Sequence, residues 1–221
     1  MAMSKSTGGS PHVSCDPGHA RLVPGVTLWS DYLGRLAQAD LIAQIYSRVE
    51  RAPFYRPRMP RSGKCFSVEE TNFGPLGWYS DESGYRYETL HPSTGLPWPE
   101  IPELLARLWH ELAQYPAPPE CCLVNLYRIG ARMGLHQDRD EQALDAPVLS
   151  VSLGDSAVFR IGGIRRRDPT VSVTVNSGDV VVFGGVARLA YHGIDRVVAG
   201  SSLLVPGGGR INLTLRRVTR P

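Results

Sequence analysis

The chain of 221 residues is 42% hydrophobic and 20% charged, which is typical of a globular protein with either one large domain or one domain with an N-terminal addition. No run of about eighteen apolar residues could span a bilayer. Residues 1–18 lack the apolar core of a signal peptide, and the four cysteines have neither metal-ligand spacing nor the pattern of a disulfide framework. We therefore expect a cytoplasmic monomer without a membrane partner.

The net charge is a mild +3, but arginine makes up most of the basic residues. Arginines cluster within residues 51–64 and again at residues 165–167. Such clusters suit phosphate groups, although a run of charge is also common on an ordinary solvated face. Charge alone therefore leaves nucleic acid open as a partner without establishing it.

The N-terminal part of the chain divides into three stretches. Residues 1–18 are rich in glycine, serine and proline, and we expect them to be disordered. Apolar residues from Trp29 to Val49 recur at helical spacing and predict an amphipathic helix. The rest of the segment 19–98 is rich in proline, glycine and aromatic residues and shows no clear period.

The C-terminal part, residues 99–221, begins with a second predicted helix over residues 99–114, opened by Pro99. Short runs of β-forming residues separated by turn residues follow: CCLVNLYR, APVLSVSL, AVFRI, VSVTV, DVVVF, SLLV and RINLTLRRV. Many short strands at this spacing predict a sandwich or barrel. The chain is therefore expected to be mainly β with flanking helices, with a jelly-roll core in its C-terminal part.

The stretch GLHQDRDE, residues 134–141, concentrates a histidine, three carboxylates and an amide. If the backbone is extended, side chains alternate between faces, so His136 and Asp138 point the same way and Asp140 continues the alternation. Two ligands on one face suit a metal, but a polar cluster beside Gly134 also suits a solvated loop. The motif needs a third ligand from elsewhere.

His192, in RLAYHGID after the predicted strand DVVVF, is the candidate for that ligand, since His12 and His19 fall near the N-terminus. Two histidines and one carboxylate on a β-barrel match the facial triad that leaves three positions open on Fe(II). A zinc hydrolase can use similar ligands, so the triad alone leaves the metal undecided.

The segment RINLTLR, residues 210–216, alternates apolar residues with polar ones that share the opposite face. The polar ones are Arg210, Asn212, Thr214 and Arg216. At about 3.3 Å per residue, the two arginine Cα atoms stand ~20 Å apart, which leaves room for a small dicarboxylate between the guanidinium groups. CCLVNLYR adds Asn125 and Tyr127 on one face, although each polar residue alone also suits a solvent-facing strand.

A family resemblance covers residues 71–218 through a series of motifs in order: TNFGPLGW, GYRY, LPWP, NLYRIGARMGLHQDRDE, PVLSVSLGDSAVFRIGG, RRDP, GDVVVFGG, RLAYHGI and RINLTLR. Together these resemble the AlkB family of Fe(II)- and 2-oxoglutarate-dependent dioxygenases. The resemblance implies a double-stranded β-helix (jelly-roll) core and a nucleotide-recognition lid within residues 19–98. It implies Fe(II), 2-oxoglutarate and dioxygen as cofactor and cosubstrates.

The resemblance also assigns residues to three roles. Iron is expected at His136, Asp138 and His192. Cosubstrate contacts are expected from Asn125, Tyr127, Arg210, Asn212 and Arg216. Substrate contacts are expected from Trp78, Tyr85, Tyr87, Asp140 and Arg166. No catalytic side chain is implied beyond the metal site.

The implied function is repair of alkylated DNA by oxidative demethylation of bases such as 1-methyladenine and 3-methylcytosine, with release of formaldehyde, succinate and carbon dioxide. Because the target atom lies inside a base pair, the base must be extruded or already unpaired, and aromatic side chains would stack on it. An oxygenase that modifies RNA is an open alternative. A non-catalytic nucleic-acid-binding jelly roll is disfavoured because every ligand and clamp residue is present.

Some positions keep two interpretations or depart from the family pattern. Trp78 also suits a core aromatic, and Tyr85 and Tyr87 at period two also suit an ordinary strand. Glu69 and Glu70 stand where apolar lid residues are expected, so the lesion spectrum and strand preference do not follow from the resemblance. Phe183, in place of a tryptophan, is interpreted as a packing change.

Overall fold

The computed structural model describes residues 18–221, and nearly all of the segment for which we expect disorder lies outside the described residues. Two antiparallel sheets dominate, as the prediction of a mainly β chain requires. Their strands are β1 (His19–Val23), β2 (Val26–Trp29), β3 (Glu69–Phe73), β4 (Gly77–Asp81), β5 (Gly84–Glu88), β6 (Cys121–Tyr127), β7 (Met133–His136), β8 (Val148–Gly154), β9 (Ala157–Ile161), β10 (Val171–Val175), β11 (Val180–Phe183), β12 (His192–Val197) and β13 (Arg210–Arg216).

The larger sheet has seven strands in the order β1-β2-β11-β8-β13-β6-β3, and the smaller sheet has four in the order β10-β9-β12-β7. Strands β4 and β5 form a separate hairpin. Because β1 to β3 come from the segment 19–98 and join the larger sheet, the N-terminal part contributes to the same sheet as the core. The boundary between 19–98 and 99–221 stays a prediction.

Alternation along β13 explains how the larger sheet has two different faces. Ile211, Leu213 and Leu215 pack with the helices in one hydrophobic core. Arg210 and Arg216 lie on the other face, toward the space between the sheets. A second core between the sheets contains apolar residues of both, such as Val26, Val148, Phe159, Ile161 and Ile194.

Helix α1 spans Arg35–Val49, so the expectation of a helix from Trp29 is wrong at its start. Trp29 ends β2 and pairs with Val180, and Asp31 adopts a left-handed backbone with φ 52°. The chain therefore turns before the helix begins. The first-turn Leu36 is 89% exposed, so its apolar character extended the helical pattern without contributing to the core.

Helix α2 spans Glu103–Leu108 and continues as a π-helical turn over Trp109–Ala113, so the helix predicted over 99–114 begins four residues late. The carbonyl of Pro99 accepts a hydrogen bond from the Gly74 backbone instead of opening the helix. Gln114, with φ 51°, ends the π turn. Within residues 18–221, no helix has both the length and the apolar character needed to cross a membrane.

Most predicted strands after Pro119 are confirmed, but SLLV, residues 202–205, is not a strand. Val205 packs into the core while Leu203 is 98% exposed. Buried Asp155 holds this loop by accepting hydrogen bonds from the backbone of Ser202 and Gly209. The sequence pattern missed β1 to β4 and β12, whereas β5 and β7 fall where a strand was one of the interpretations. His19, set aside as a ligand because it lies near the N-terminus, opens β1.

Candidate active site

A cavity of about 540 Å³ lies between the two sheets and opens toward the β4–β5 hairpin. Its base is formed by the polar face of β6 and β13, one side by residues 133–141, and its rim by aromatic residues of the segment 59–85. The cavity therefore brings together the metal-ligand, cosubstrate and substrate residues singled out from the sequence, except Tyr87, which is not among its lining residues.

His136, Asp138 and His192 meet at this cavity, as the spacing predicted. His136 ends β7 and His192 opens β12, and the two are directly opposite in the antiparallel register. Asp138 follows in the loop after β7. Its Oδ1 lies 3.7 Å from His136 Nε2, and its Oδ2 lies 3.9 Å from His192 Nε2. All three ligand atoms lie within 4.8 Å of one another.

Hydrogen bonds fix both imidazole rings in the orientation that a metal needs. Nδ1 of His136 donates to the carbonyl of Gly134 at 2.9 Å, and Nδ1 of His192 donates to that of Ala190 at 3.0 Å. A carbonyl can only accept, so each Nε2 carries the free lone pair that a metal binds. Burial lowers the pKa of His192 to about 4, which keeps it neutral at pH 7.

The third ligand, Asp138, is an ionised carboxylate. Burial alone would favour its neutral form, but Arg216 donates from Nε and Nη2 to Oδ2 at 3.1 and 2.9 Å, and both histidines are close. These groups hold the pKa of Asp138 well below its usual range. The donor set of two imidazoles and one carboxylate, with a cavity on its open side, fits Fe(II).

Two residues that the sequence did not single out complete a buried ionic network around Asp138. Arg188 donates to the Asp138 carbonyl and to Glu141 Oε2 at 3.0 Å. Arg216 Nε lies 3.5 Å from Glu141 Oε1, and Tyr87 donates its hydroxyl to the same oxygen. Glu141 ends the motif GLHQDRDE and Arg188 begins the motif RLAYHGI. No periodicity in either motif distinguishes these two residues from their neighbours.

The five residues predicted to contact the cosubstrate all line the cavity. Arg210 is buried, and its Nε and Nη1 have no hydrogen-bond partner among the described residues, nor has Oδ1 of Asn125. The Arg210 guanidinium lies 5.3 Å from the ring centroid of Tyr127, whose pKa is raised to about 12 by burial. Unpaired buried donors of this kind fit a carboxylate ligand.

The other two cosubstrate candidates already have partners within the protein. Asn212 donates from Nδ2 to Ser150 Oγ at 2.7 Å and to the Val151 carbonyl at 3.1 Å. Arg216 binds Asp138, as described above. Of the two arginines expected to clamp a dicarboxylate, Arg210 is therefore the one with free donors, and Arg216 orients a metal ligand.

Aromatic residues form the mouth of the cavity. Trp78 stacks on Tyr85 with ring centroids 5.5 Å apart, and its Nε1 donates to Asp140 Oδ2 at 2.9 Å. Tyr85 is 52% exposed, whereas Tyr87 packs beneath the hairpin against Leu123 and Val218. Trp78 lies between these extremes, half-buried, with part of its ring against the same apolar cluster.

The remaining predicted substrate residues lie along the cavity. Asp140 and Arg166 both line it, and Arg166 donates to the Leu135 carbonyl at 3.0 Å. Met59 and Phe66, which the sequence did not single out, also line it. Glu70 lines it as well, and its neighbour Glu69 faces Arg56 on the opposite side of β3.

Comparison with known proteins agrees with this geometry. Residues 25–216 match the family model described as the 2OG-Fe(II) oxygenase superfamily. The chain is 57% identical over 196 residues to the alpha-ketoglutarate-dependent dioxygenase AlkB homolog of Caulobacter vibrioides, covering 89% of each chain. It is 39% identical over 206 residues to the alpha-ketoglutarate-dependent dioxygenase AlkB of Escherichia coli, covering 91% of this chain and 94% of that one.

A solved structure shares the architecture. The structure of OsALKBH1 superposes with a TM-score of 0.79 at 30% identity and covers 90% of this chain and 100% of that chain. The jelly-roll prediction is thereby confirmed. With a family model spanning its sheets and a His-Asp-His cluster in its cavity, the chain is an enzyme that uses Fe(II), 2-oxoglutarate and dioxygen, and it belongs to the AlkB family of 2OG-Fe(II) oxygenases.

Proposed function

We propose that this enzyme repairs alkylated DNA by oxidative removal of N-alkyl groups from bases such as 1-methyladenine and 3-methylcytosine. One observation carries the proposal: the His-Asp-His cluster and the unpaired donors of Arg210 share a cavity whose mouth is formed by Trp78 and Tyr85. The first groups suit iron and a dicarboxylate, and the aromatic rings suit a planar base.

Each part of the cavity has a separate task. The two Nε2 atoms and the Asp138 carboxylate would hold Fe(II), while Arg210, Tyr127 and Asn125 would bind and orient the cosubstrate. When bound, Fe(II) and 2-oxoglutarate supply the oxidation that hydroxylates the N-alkyl carbon with dioxygen and leads to release of an aldehyde, succinate and carbon dioxide. The side chains exclude water, position the base and keep the ligands in one orientation.

The mouth of the cavity supports a base as substrate. A base inside a duplex has to be extruded before its alkyl group reaches the metal, and stacking on an aromatic ring offsets part of that cost. The partly exposed Trp78 and Tyr85 provide such rings, and the Asp140 carboxylate next to Trp78 provides an acceptor for an exocyclic amine. Arg166 at the same cavity suits a phosphate.

We place the enzyme in the cytoplasm as a monomer. The three cysteines in the described part of the chain are free thiols, as expected in a reducing compartment, and all the groups that the reaction needs come from one chain.

The test is a panel of DNA and RNA oligonucleotides, single- and double-stranded, each with one methylated base and incubated with Fe(II), 2-oxoglutarate and air. Mass spectrometry should show loss of the methyl group from 1-methyladenine and 3-methylcytosine in DNA, and succinate should form in equal amount. His136→Ala is the matched inactive control. If only the RNA substrates lost their methyl group, the modifying oxygenase would be the correct function, and no turnover on any substrate would contradict the proposal.

A further inference from the structure

Glu70 is a buried carboxyl group that belongs to neither the metal-ligand residues nor the predicted cosubstrate residues. It lies on β3, the edge strand of the larger sheet, directly opposite Asn125 of β6 in the antiparallel register. The residue is completely buried and lines the cavity. Both carboxyl oxygens lack a hydrogen-bond partner among residues 18–221. An unpartnered buried carboxyl is costly, and a ligand that enters the cavity can supply the partner that the protein lacks.

The neighbours of Glu70 do not supply a counter-charge. Tyr55, from the segment before β3, and Tyr127, from β6, are the titratable groups facing it from those elements. Arg216 of β13 is the cation that acts on it, but Arg216 is bound to Asp138 and only partly offsets burial. Burial raises the pKa of Glu70 to about 8. In the empty cavity at pH 7, Glu70 is therefore mainly the neutral acid.

The adjacent Glu69 shows what an ordinary glutamate does on this strand. Its side chain points to the opposite face, is 28% exposed and pairs with Arg56 at 3.1 Å. The carboxyl group of the next residue, Glu70, lies at the cavity and forms no ion pair with a cation in the described part of the chain. The difference follows from the alternation of a strand, and it makes Glu69 a matched control for Glu70.

The chemistry of the proposed substrate supplies the missing partner. Alkylation of N1 of adenine or N3 of cytosine gives a base that carries a positive charge, shared with its exocyclic amine, at neutral pH. The repaired base is neutral. A buried carboxylate near the cation would therefore favour the damaged base over the repaired one, because the charge is lost when the alkyl group leaves.

Resting on the function proposed above, we infer that Glu70 is a specificity-determining residue that supplies the counter-charge and a hydrogen-bond acceptor for a cationic N-alkylated base. The cosubstrate is the less suitable partner, since 2-oxoglutarate is a dianion that an ionised Glu70 would repel. Arg210 already offers that dianion two unpaired donors. Glu70 and the aromatic pair of Trp78 and Tyr85 line the same cavity.

Binding of a cationic base should change the number of protons that the enzyme holds. Below pH 8 the free enzyme holds a proton on Glu70. When the cationic base enters, the carboxyl O–H bond breaks, the proton passes to the buffer, and the carboxylate pairs with the base. Binding of a cationic base at pH 7 should therefore release up to one proton from Glu70, and binding of a neutral base should release none from this group.

The experiment is calorimetric titration at pH 7, in two buffers of different ionisation enthalpy, of the Fe(II)- and 2-oxoglutarate-loaded enzyme without dioxygen. The probes are matched single-stranded oligonucleotides that carry 3-methylcytosine, which is cationic, or 3-methylthymine, which is neutral. The variants are Glu70→Gln, which keeps the shape, Glu70→Met, which restores an apolar side chain, and the control Glu69→Gln. Affinity for 2-oxoglutarate is measured separately for each protein.

We expect Glu70→Gln and Glu70→Met to weaken binding of the 3-methylcytosine probe by about tenfold, the loss typical of one charge-assisted hydrogen bond, and to abolish the proton release. The 3-methylthymine probe should bind all proteins alike, and Glu69→Gln should match the parent. An unchanged preference and proton count in both Glu70 variants would overturn the inference. So would a change confined to 2-oxoglutarate affinity. If the proposed function itself fails, neither probe binds the parent enzyme above its unmethylated control.

Discussion

The two walls of the cavity are built in different ways. The sheet wall, which comprises Asn125, Asp138, His192, Arg210 and Arg216, consists of buried polar side chains on regular strands or directly beside them. The lid wall, which comprises Met59, Phe66, Trp78 and Tyr85, consists of apolar and aromatic side chains that are partly exposed. One wall is closed to solvent and charged, and the other is open and nearly uncharged.

This difference matches two different demands. Chemistry at a metal needs ligands held in one orientation before the substrate arrives, and buried, mutually bonded side chains on strands provide that. The function proposed above also needs a surface that accepts an extruded base, and partly exposed aromatic rings suit that role. We therefore expect substitutions in the sheet wall to lower turnover both with and without nucleic acid. Substitutions in the lid wall should weaken only the binding of nucleic acid.

The largest effect should come from the metal ligands. His136→Ala should abolish iron binding and turnover, yet leave the melting temperature nearly unchanged, because the His136 side chain is 40% exposed. Asp138→Ala should also abolish turnover but destabilise the fold, since it leaves buried Arg216 without its main partner, a loss of roughly 3 to 5 kcal/mol. Iron content, formaldehyde release and thermal melts measure all three quantities. Near-normal formaldehyde release by Asp138→Ala would refute the ligand assignment.

Glu70, at the junction of the two walls, should make stability depend on pH. Its pKa is raised from 4.5 to about 8 in the fold, so the folded state holds the proton more tightly than the unfolded state. Stability is therefore lost as pH rises from about 4.5 to 8. Glu70→Gln removes this titration and should be more stable than the parent at pH 8 by up to roughly 4 kcal/mol, with little difference at pH 4.5.

Denaturant unfolding of both proteins across pH 4.5 to 8 checks this prediction, with Glu69→Gln as the control that should follow the parent curve. Parallel curves for Glu70→Gln and the parent would show that Glu70 is not held as a neutral acid in the fold.

Arg210 should act through the cosubstrate. Arg210→Met keeps the apolar stem but removes the guanidinium, so 2-oxoglutarate should bind about 10- to 100-fold more weakly, corresponding to roughly 1.5 to 3 kcal/mol. Titration of 2-oxoglutarate into the iron-loaded enzyme, followed by its charge-transfer absorbance, measures the affinity. Arg160→Met is the control, because Arg160 forms a partly exposed ion pair with Asp195. Equal affinities of all three proteins would leave no reason to assign the cosubstrate to Arg210.

Substitution of Trp78 should have the smallest effect, and this effect should be confined to the binding of nucleic acid. Trp78→Ala removes the ring that stacks on Tyr85, so the apparent KM for a methylated oligonucleotide should rise about tenfold, which lies within the roughly 1 to 3 kcal/mol that stacking of one base on an aromatic ring contributes. Uncoupled turnover of 2-oxoglutarate without nucleic acid should stay near the parent value.

The control for Trp78 is Trp109→Ala, in which a tryptophan of the hydrophobic core is removed. That variant should lose roughly 3 to 5 kcal/mol of stability and depress both activities together. The same pattern in Trp78→Ala would assign Trp78 to the core and leave base contacts to Tyr85.

The sheet wall was largely predictable from the sequence and the lid wall was not. Period-two alternation in RINLTLR and CCLVNLYR identifies the face that meets the cavity, and a strand repeats that alternation whatever its partners. Asp138 lies two residues beyond the end of β7, and its carboxylate still meets the His136 ring as the alternation predicts. Strands β3 and β4 have no such pattern, because glycine, aromatic and charged residues interrupt it, and in β5 only Tyr85 and Tyr87 follow it.

Other features depend on contacts that no local pattern contains. Arg216 and Asp138 are far apart in the chain, so no local pattern predicts that they interact. The sequence therefore suggested that Arg216 binds the cosubstrate, whereas the structure shows an ion pair with Asp138. The same holds for the predicted strand SLLV, which is a loop held by the remote Asp155. Tyr87 shares a strand face with Tyr85, but packing beneath the hairpin gives it a different neighbour.

The buried network of Asp138, Glu141, Arg188 and Arg216 contains two negative and two positive groups, so its charges cancel. Substitution of any one member leaves an opposite charge in the interior without its partner, and single replacements there are costly. Mutational tolerance should therefore be low at each position alone and higher when a cation and an anion are replaced together. Because Asp138 is fixed by its role as a metal ligand, we expect Glu141 and Arg188 to change as a pair over evolutionary time, and Tyr87, bonded to Glu141, to change with them.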